Sequence, residues 1–175
     1  IHGELFSPGH TYTPFAPISK DFRMNSVPCI SPSKAFNLAG LQIANIISAN
    51  EYVRMKIDKA INANEVCDVN PFGVEALIAA YNEGAEWLEE LKQYLLDNYN
   101  YLKSYFEKYL PHLKVLPLEG TYLVWVDCSA LKQSSEEIVK TLLDKEKLLV
   151  NMYGEAGKDF IRINIACPRA LLIDG

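Results

Sequence analysis

The chain has 175 residues, 49% of them hydrophobic and 22% charged, with a net charge of −5. That is enough length and apolar content for an ordinary globular core, while a mildly acidic balance without a basic run argues against a nucleic-acid or anionic-membrane surface. No apolar run reaches membrane-spanning length, and the four cysteines, Cys29, Cys67, Cys128 and Cys167, form no C-x-x-C pair and read as reduced core thiols.

Taken in order, Pro8-Gly9-His10 through Phe15 reads as turn and loop from its Pro/Gly punctuation. Two apolar runs follow, Val27 to Ile30 and Leu41 to Ile47, and the spacing predicts strand, loop, strand. Lys34 falls on the loop, in Ser31-Pro32-Ser33-Lys34-Ala35-Phe36-Asn37-Leu38-Ala39-Gly40-Leu41, with two serine hydroxyls close by in sequence. An S-x-S-K string by itself reads equally as a surface turn. Leu41 to Ser48 is expected to be a buried strand. Asn50 is a candidate N-cap for a helix to about Ile61, with Val53, Ile57, Ala60 and Ile61 on one face.

Asn64 to Pro71 is polar and turn-like, and a long helical pattern begins at Phe72 with Val74, Leu77, Ile78 and Tyr81. Gly84 is expected to break or kink it. Leu88, Leu91, Leu95, Leu102, Phe106 and Tyr109 then continue the stripe to Pro111, which ends it. Glu83, Glu86, Glu89 and Glu90 read as a solvated face near a helix start, not as a metal site. Beyond Lys114 strands and helices alternate in an α+β pattern. Gly120 to Asp127 reads as a strand, Ser134-Ser135-Glu136-Glu137 as a capping box opening a helix with Ile138, Leu142 and Leu143 inward, Leu148 to Val150 as a short strand, and Phe160 to Ala166 as another. A further helical pattern begins near the last residues.

The Lys34 segment, the Gly120-Thr121-Tyr122-Leu123-Val124-Trp125 string and Phe160-Ile161-Arg162-Ile163-Asn164 occur in the order found in fold-type-I pyridoxal-phosphate (PLP) enzymes. From Ile1 to Arg169 the chain resembles these class I and II aminotransferases, and within them the cystathionine β-lyase-like carbon–sulfur lyases. The resemblance implies an α/β, PLP-dependent transferase-like fold seen in part. Residues 1–83 would be the end of the large PLP-binding domain, 84–110 a long connecting helix, and 111–175 a small α+β domain, together roughly the C-terminal half of a longer enzyme.

It also implies a site. Lys34 would be the catalytic lysine that holds the PLP cofactor, with Ser31 and Ser33 near its phosphate and His2 beside its phenolic oxygen. Arg162 would bind the substrate α-carboxylate, which a planar guanidinium can hold at two points; read from the strand alone, it could equally belong to a structural ion pair. His10 and Tyr12 are candidates for outer positions near the site, or for a surface turn. Gln42 stands where many aminotransferases carry a phosphate-binding arginine, which favours the lyase reading. Between Asn151 and Tyr153 the relatives have a few more residues. The implied partners are an amino-acid substrate and a second copy of the chain, with no nucleic acid and no membrane, in the cytoplasm. The alternatives on one scaffold are an aminotransferase and a non-catalytic regulator. The 175 residues by themselves are expected to be inactive.

Overall fold

The structure, a computed structural model, describes residues 1–154 and 157–175. The chain divides into two units, Ile1–Phe6 with Thr11–Glu90, and Ser7–His10 with Leu91–Gly175. No helix among the described residues is long and apolar enough to cross a membrane.

In the first unit a short helix α1 (Lys20–Met24) starts at Ser19, whose hydroxyl accepts from Phe22 N–H at 3.1 Å. Two short antiparallel strands follow, β1 (Cys29–Ile30) and β2 (Asn45–Ile46), with Cys29 opposite Ile46 and Ile30 opposite Asn45. The loop carrying Lys34 lies between them. The expected buried strand from Leu41 to Ser48 is therefore much shorter. Leu41 belongs to a 3-10 turn, and Ile46 and Ile47 are about half exposed, at 50% and 47%. Among the described residues β2 pairs only with the two-residue β1, so the ladder ends after two residues, while Ile43 is buried at 7% outside it.

Helix α2 (Glu51–Ala63) begins where the asparagine signal placed it, the Asn50 side chain accepting from Val53 N–H at 3.3 Å. Val53, Ile57 and Ile61 are half-buried, but Ala60 is exposed. Helix α3 (Pro71–Glu83) is capped by Asn70 with Pro71 in its first turn, a position where a missing N–H costs nothing. Gly84 ends α3, and α4 (Ala85–Tyr109) starts at the next residue. Gly73 lies close to the chain beyond Lys34; a Cβ there would come within 3.0 Å of the Leu41 carbonyl oxygen.

The second unit takes most of α4 and a three-stranded antiparallel sheet, β3 (Lys114–Val115), β4 (Leu123–Asp127) and β5 (Phe160–Asn164), in the order β3-β4-β5. Period-two alternation gives the sheet two different faces. One packs Val126 and Ile161, with Cys128, Ile138 and Val150, into a core closed by Phe106 of α4 and Val139 of α5 (Ser135–Thr141). The other carries Trp125 and Arg162, which stand opposite each other in the ladder.

Three further expectations need correction. Leu148 to Val150 is not a strand: a π-helical turn (Leu142–Glu146) follows α5, and Lys147 is left-handed at φ 59°. The chain reaches the sheet one residue later, as a single bridge from Asn151 to Arg162. Leu143 and Tyr109, expected inside, are exposed. The cysteines are all free, but only Cys128 is a core thiol; Cys167 is half-buried, and Cys29 and Cys67 are exposed. Cys128 follows Val124 and Val126 on the buried face of β4, an alternation the other three do not share. A last helix, α6 (Arg169–Asp174), closes the described chain.

Candidate active site

Lys34 is half-buried on one tight turn. Phe36 N–H donates to the Pro32 carbonyl at 2.9 Å and Leu38 N–H to that of Ser33 at 3.1 Å. Pro32 and Ala35 are buried on either side of the lysine, which fixes its Cα. Asn37 leaves the turn at φ 54°, a left-handed conformation that asparagine tolerates better than most residues.

Ser31 holds this turn from below. Its hydroxyl donates to the Ile43 carbonyl at 2.6 Å, joining the two ends of the loop, and accepts from Ser33 N–H at 3.2 Å. The two serine oxygens are 2.6 Å apart. A hydroxyl has one proton, so with Ser31 donating to Ile43 it is Ser33 that donates to Ser31. Ser31 is buried and committed to the backbone; Ser33 is half-buried, and a turn about its C–O bond frees its proton for a ligand.

Phe36 anchors the far end of the turn. Its ring stacks on Trp87 with centroids 5.7 Å apart and meets Tyr81 edge-on at 5.9 Å. A Cβ at Gly84 would come within 2.5 Å of Phe36 Cε1. Gly84, at φ −85°, is thus required by the approach of the ring, not by its backbone angle. Tyr81 Oη donates to Glu4 Oε1 at 3.4 Å, and burial followed by the Glu4 charge pushes its ionisation up to about 12. His2 is half-buried near Lys34; burial first, and after it the Lys34 charge, pull its pKa below the usual imidazole value, partly opposed by Glu4. Tyr12 is exposed, as is Gln42, which takes a left-handed φ of 52°.

Arg162 lies in the second unit, as does His10, which is exposed. Both flanks of the Arg162 peptide are fixed. Trp125 faces it on β4, and Asn151 exchanges two backbone hydrogen bonds with it, Asn151 N–H to Arg162 O at 3.1 Å and Arg162 N–H to Asn151 O at 2.7 Å. Its Nε is buried without a hydrogen-bond partner among the described residues. A buried charge-bearing donor left unpaired is costly, so this atom calls for an acceptor from outside the strand.

Sequence reading missed the rings around this guanidinium. Arg162 Cζ stands 6.0 Å from the centroid of Tyr153, whose ring meets Trp125 edge-on at 5.8 Å. Trp125 was visible as a strand residue, but only the β4–β5 register brings it opposite Arg162. Asn98 was missed too. Fully buried on α4, it donates to the carbonyls of Ile165 (2.8 Å) and Cys167 (3.1 Å) and accepts from Arg169 Nε (2.7 Å), tying down the chain just beyond β5.

Residues 6–172 match the family described as aminotransferase class I and II. The chain belongs to that family. It is 39% identical over 178 residues to the cystathionine beta-lyase PatB of Bacillus subtilis, covering 100% of this chain and 46% of the relative. The protein MalY of Escherichia coli is 34% identical over 149 residues, with 83% and 38% covered. Among solved structures, a PLP-bound putative aminotransferase from Clostridium difficile superposes with a TM-score of 0.96 at 38% identity, covering 99% of this chain and 46% of the other. Cystalysin from Treponema denticola, which contains PLP, gives 0.95 at 30%, with 99% and 45% covered. The expected PLP-dependent transferase-like fold is borne out, and the chain spans a little under half the length of these relatives.

Proposed function

We propose that this chain is part of a PLP-dependent carbon–sulfur β-lyase that cleaves a cystathionine-like thioether amino acid to a thiol, ammonia and a 2-oxo acid. The observation that carries the reading is the 39% identity to a cystathionine beta-lyase along the whole chain. The residues present fit the cofactor and its substrate. Lys34 offers an amine on a tight turn beside His2, Ser33 has a hydroxyl that can turn to a phosphate oxygen, and Arg162 has a buried donor without an acceptor among the described residues.

Lys34, Ser31, Ser33 and His2 would hold PLP. Lys34 would bind it directly, Ser33 through its phosphate, Ser31 chiefly by fixing the turn, and His2 from the side of the phenolic oxygen. When bound, PLP supplies a ring system that spreads the negative charge left when a proton leaves the substrate Cα. Lys34 Nζ, freed as a neutral amine when the substrate amino group takes its place, would be the base for that proton. Arg162 takes the α-carboxylate and so presents one Cα bond to the base. The Cβ–sulfur bond then breaks and the sulfur leaves as a thiolate. Residues 1–83 belong on this reading to the large domain, 84–110 to the connecting helix and 111–175 to the small domain, in a cytoplasmic homodimer.

The second reading is an aminotransferase, favoured by the PLP-bound putative aminotransferase of similar structure. It needs the same lysine and arginine and differs in where the proton is returned. The test uses the complete parent protein with PLP and L-cystathionine, without a 2-oxo acid acceptor. Thiol and 2-oxo acid released together over many turnovers are the expected result. A single turnover that resumes only on adding an oxo acid would replace the lyase by the aminotransferase.

A further inference from the structure

The outer face of the β3-β4-β5 sheet holds a cation among rings. Trp125 is directly opposite Arg162, so the two side chains leave the sheet on the same side, away from the core residues Val126 and Ile161. Tyr153 comes from the segment after the Asn151 bridge. Its ring faces Arg162 Cζ at 6.0 Å and meets Trp125 at 5.8 Å and 72°, while Trp125 also meets Phe160 edge-on at 6.2 Å. Among the described residues no carboxylate pairs with Arg162. The ring that stands against its guanidinium among the described residues is that of Tyr153, which Trp125 in turn backs.

Tyr153 is 58% exposed, yet its backbone is held. Gly157 N–H donates to the Tyr153 carbonyl at 3.1 Å, and the Gly157 carbonyl accepts from the buried Ser135 hydroxyl at 3.2 Å. A Cβ at position 157 would stand 3.3 Å from both Trp125 Cζ3 and Tyr153 Cβ, so the glycine leaves room for both rings to close on the arginine. Nε of the guanidinium is buried without a hydrogen-bond partner among the described residues.

We propose that Tyr153, backed by Trp125 and Gly157, is a positioning residue that turns Arg162 so that it takes the α-carboxylate through Nε–H and one terminal N–H. A guanidinium can meet a carboxylate end-on through both terminal nitrogens or side-on through Nε and one of them. Side-on binding satisfies the buried donor, and the ring over Cζ keeps the plane from rotating out of reach. The site consequently selects amino acids with a free α-carboxylate over their amides. This inference rests on Arg162 being the partner of the carboxylate.

The test uses the complete parent protein loaded with PLP, with L-alanine and L-alaninamide as probes that lack a leaving group on Cβ. Binding is followed by the change in cofactor absorbance, and the ratio of the two dissociation constants is read. Arg162→Gln should abolish the preference for the acid. Tyr153→Ala should lower it about fivefold, the size of a partly exposed cation–π contact, while Tyr153→Phe should restore it. Tyr153 is mostly exposed, so the fold tolerates both changes, and circular dichroism checks this. If Tyr153→Ala keeps the full preference while Arg162→Gln loses it, the positioning role is wrong and the carboxylate reading stands. Equal losses in the Ala and Phe variants would assign the effect to the phenol hydroxyl and overturn the ring as the device. A preference that survives Arg162→Gln overturns the carboxylate reading and this inference with it.

Discussion

At Gly84 the expected effect of a methyl group depends on what already fills the space. The backbone there is right-handed, so alanine would ordinarily be neutral or stabilising. Here the new Cβ meets Phe36 Cε1 and the Ala80 carbonyl oxygen, both within 2.5 Å. Gly84→Ala should therefore cost about 1–3 kcal/mol by overpacking, read as a lower urea midpoint in the complete protein. Phe36→Leu in the Gly84→Ala background should recover part of it. Ser31→Ala should cost about 1–2 kcal/mol, because the Ile43 carbonyl loses its donor where the loop is closed. Ser33→Ala should cost less stability and instead weaken PLP retention, measured by dialysis of the loaded protein. That contrast was not legible in Ser31-Pro32-Ser33-Lys34, where the two hydroxyls look equivalent. Only the fold buries one against Ile43 and leaves the other half-accessible. The proposed roles of Lys34 and Arg162 came from family resemblance, whereas the rings around Arg162 depend on register, which no local string encodes.

Among the elements, those set by local chemistry were the legible ones. Asn50 starts α2 and Ser134 starts α5, because a capping side chain satisfies N–H groups within its own turn. Leu41 to Ser48 and Leu148 to Val150 misled for one shared reason. A short apolar run shows that it could be buried, but not whether a neighbouring strand exists to pair with it. The Ser134 cap gives a prediction of its own. Its hydroxyl accepts from Glu137 N–H at 3.3 Å, while Ser134 N–H donates to Glu137 Oε2 at 2.9 Å. Ser134→Ala should cost about 1 kcal/mol at neutral pH. The Ser134 donors hold the Glu137 carboxyl below its ordinary value of 4.5. A lowered folded pKa means that the carboxylate's contribution is complete above 4.5 and lost as pH falls through the lower folded value. The stability difference between the wild type and Glu137→Ala should thus narrow in acid below that point. A difference that stays constant down to pH 3 would show that the carboxylate contributes nothing to the cap.

For the molecule as a whole, each unit leaves apolar side chains in water. In the first unit Phe72 is 76% exposed, Val66 65%, Tyr52 62% and Met55 60%, and α2 has no fully buried residue at all. In the second, Leu149 is 72% exposed and Leu171 61%. Scattered exposed leucines are ordinary in a monomer, but a whole amphipathic helix without a buried residue is a face made to be covered. Relatives about twice as long point to the rest of a longer polypeptide as the simplest cover, and the homodimer proposed above would add a second copy. The Ile1–Gly175 polypeptide by itself should therefore associate, eluting on size exclusion well above its 19.7 kDa, and should not turn over L-cystathionine with added PLP. The complete parent protein should do the reverse, eluting as a discrete dimer and releasing thiol. The two measurements have to be read together. Association without activity fits a part whose covering segments are missing. A monodisperse 19.7 kDa species that cleaves cystathionine would mean that these residues alone hold the cofactor and cover their own apolar faces, against the exposure of α2.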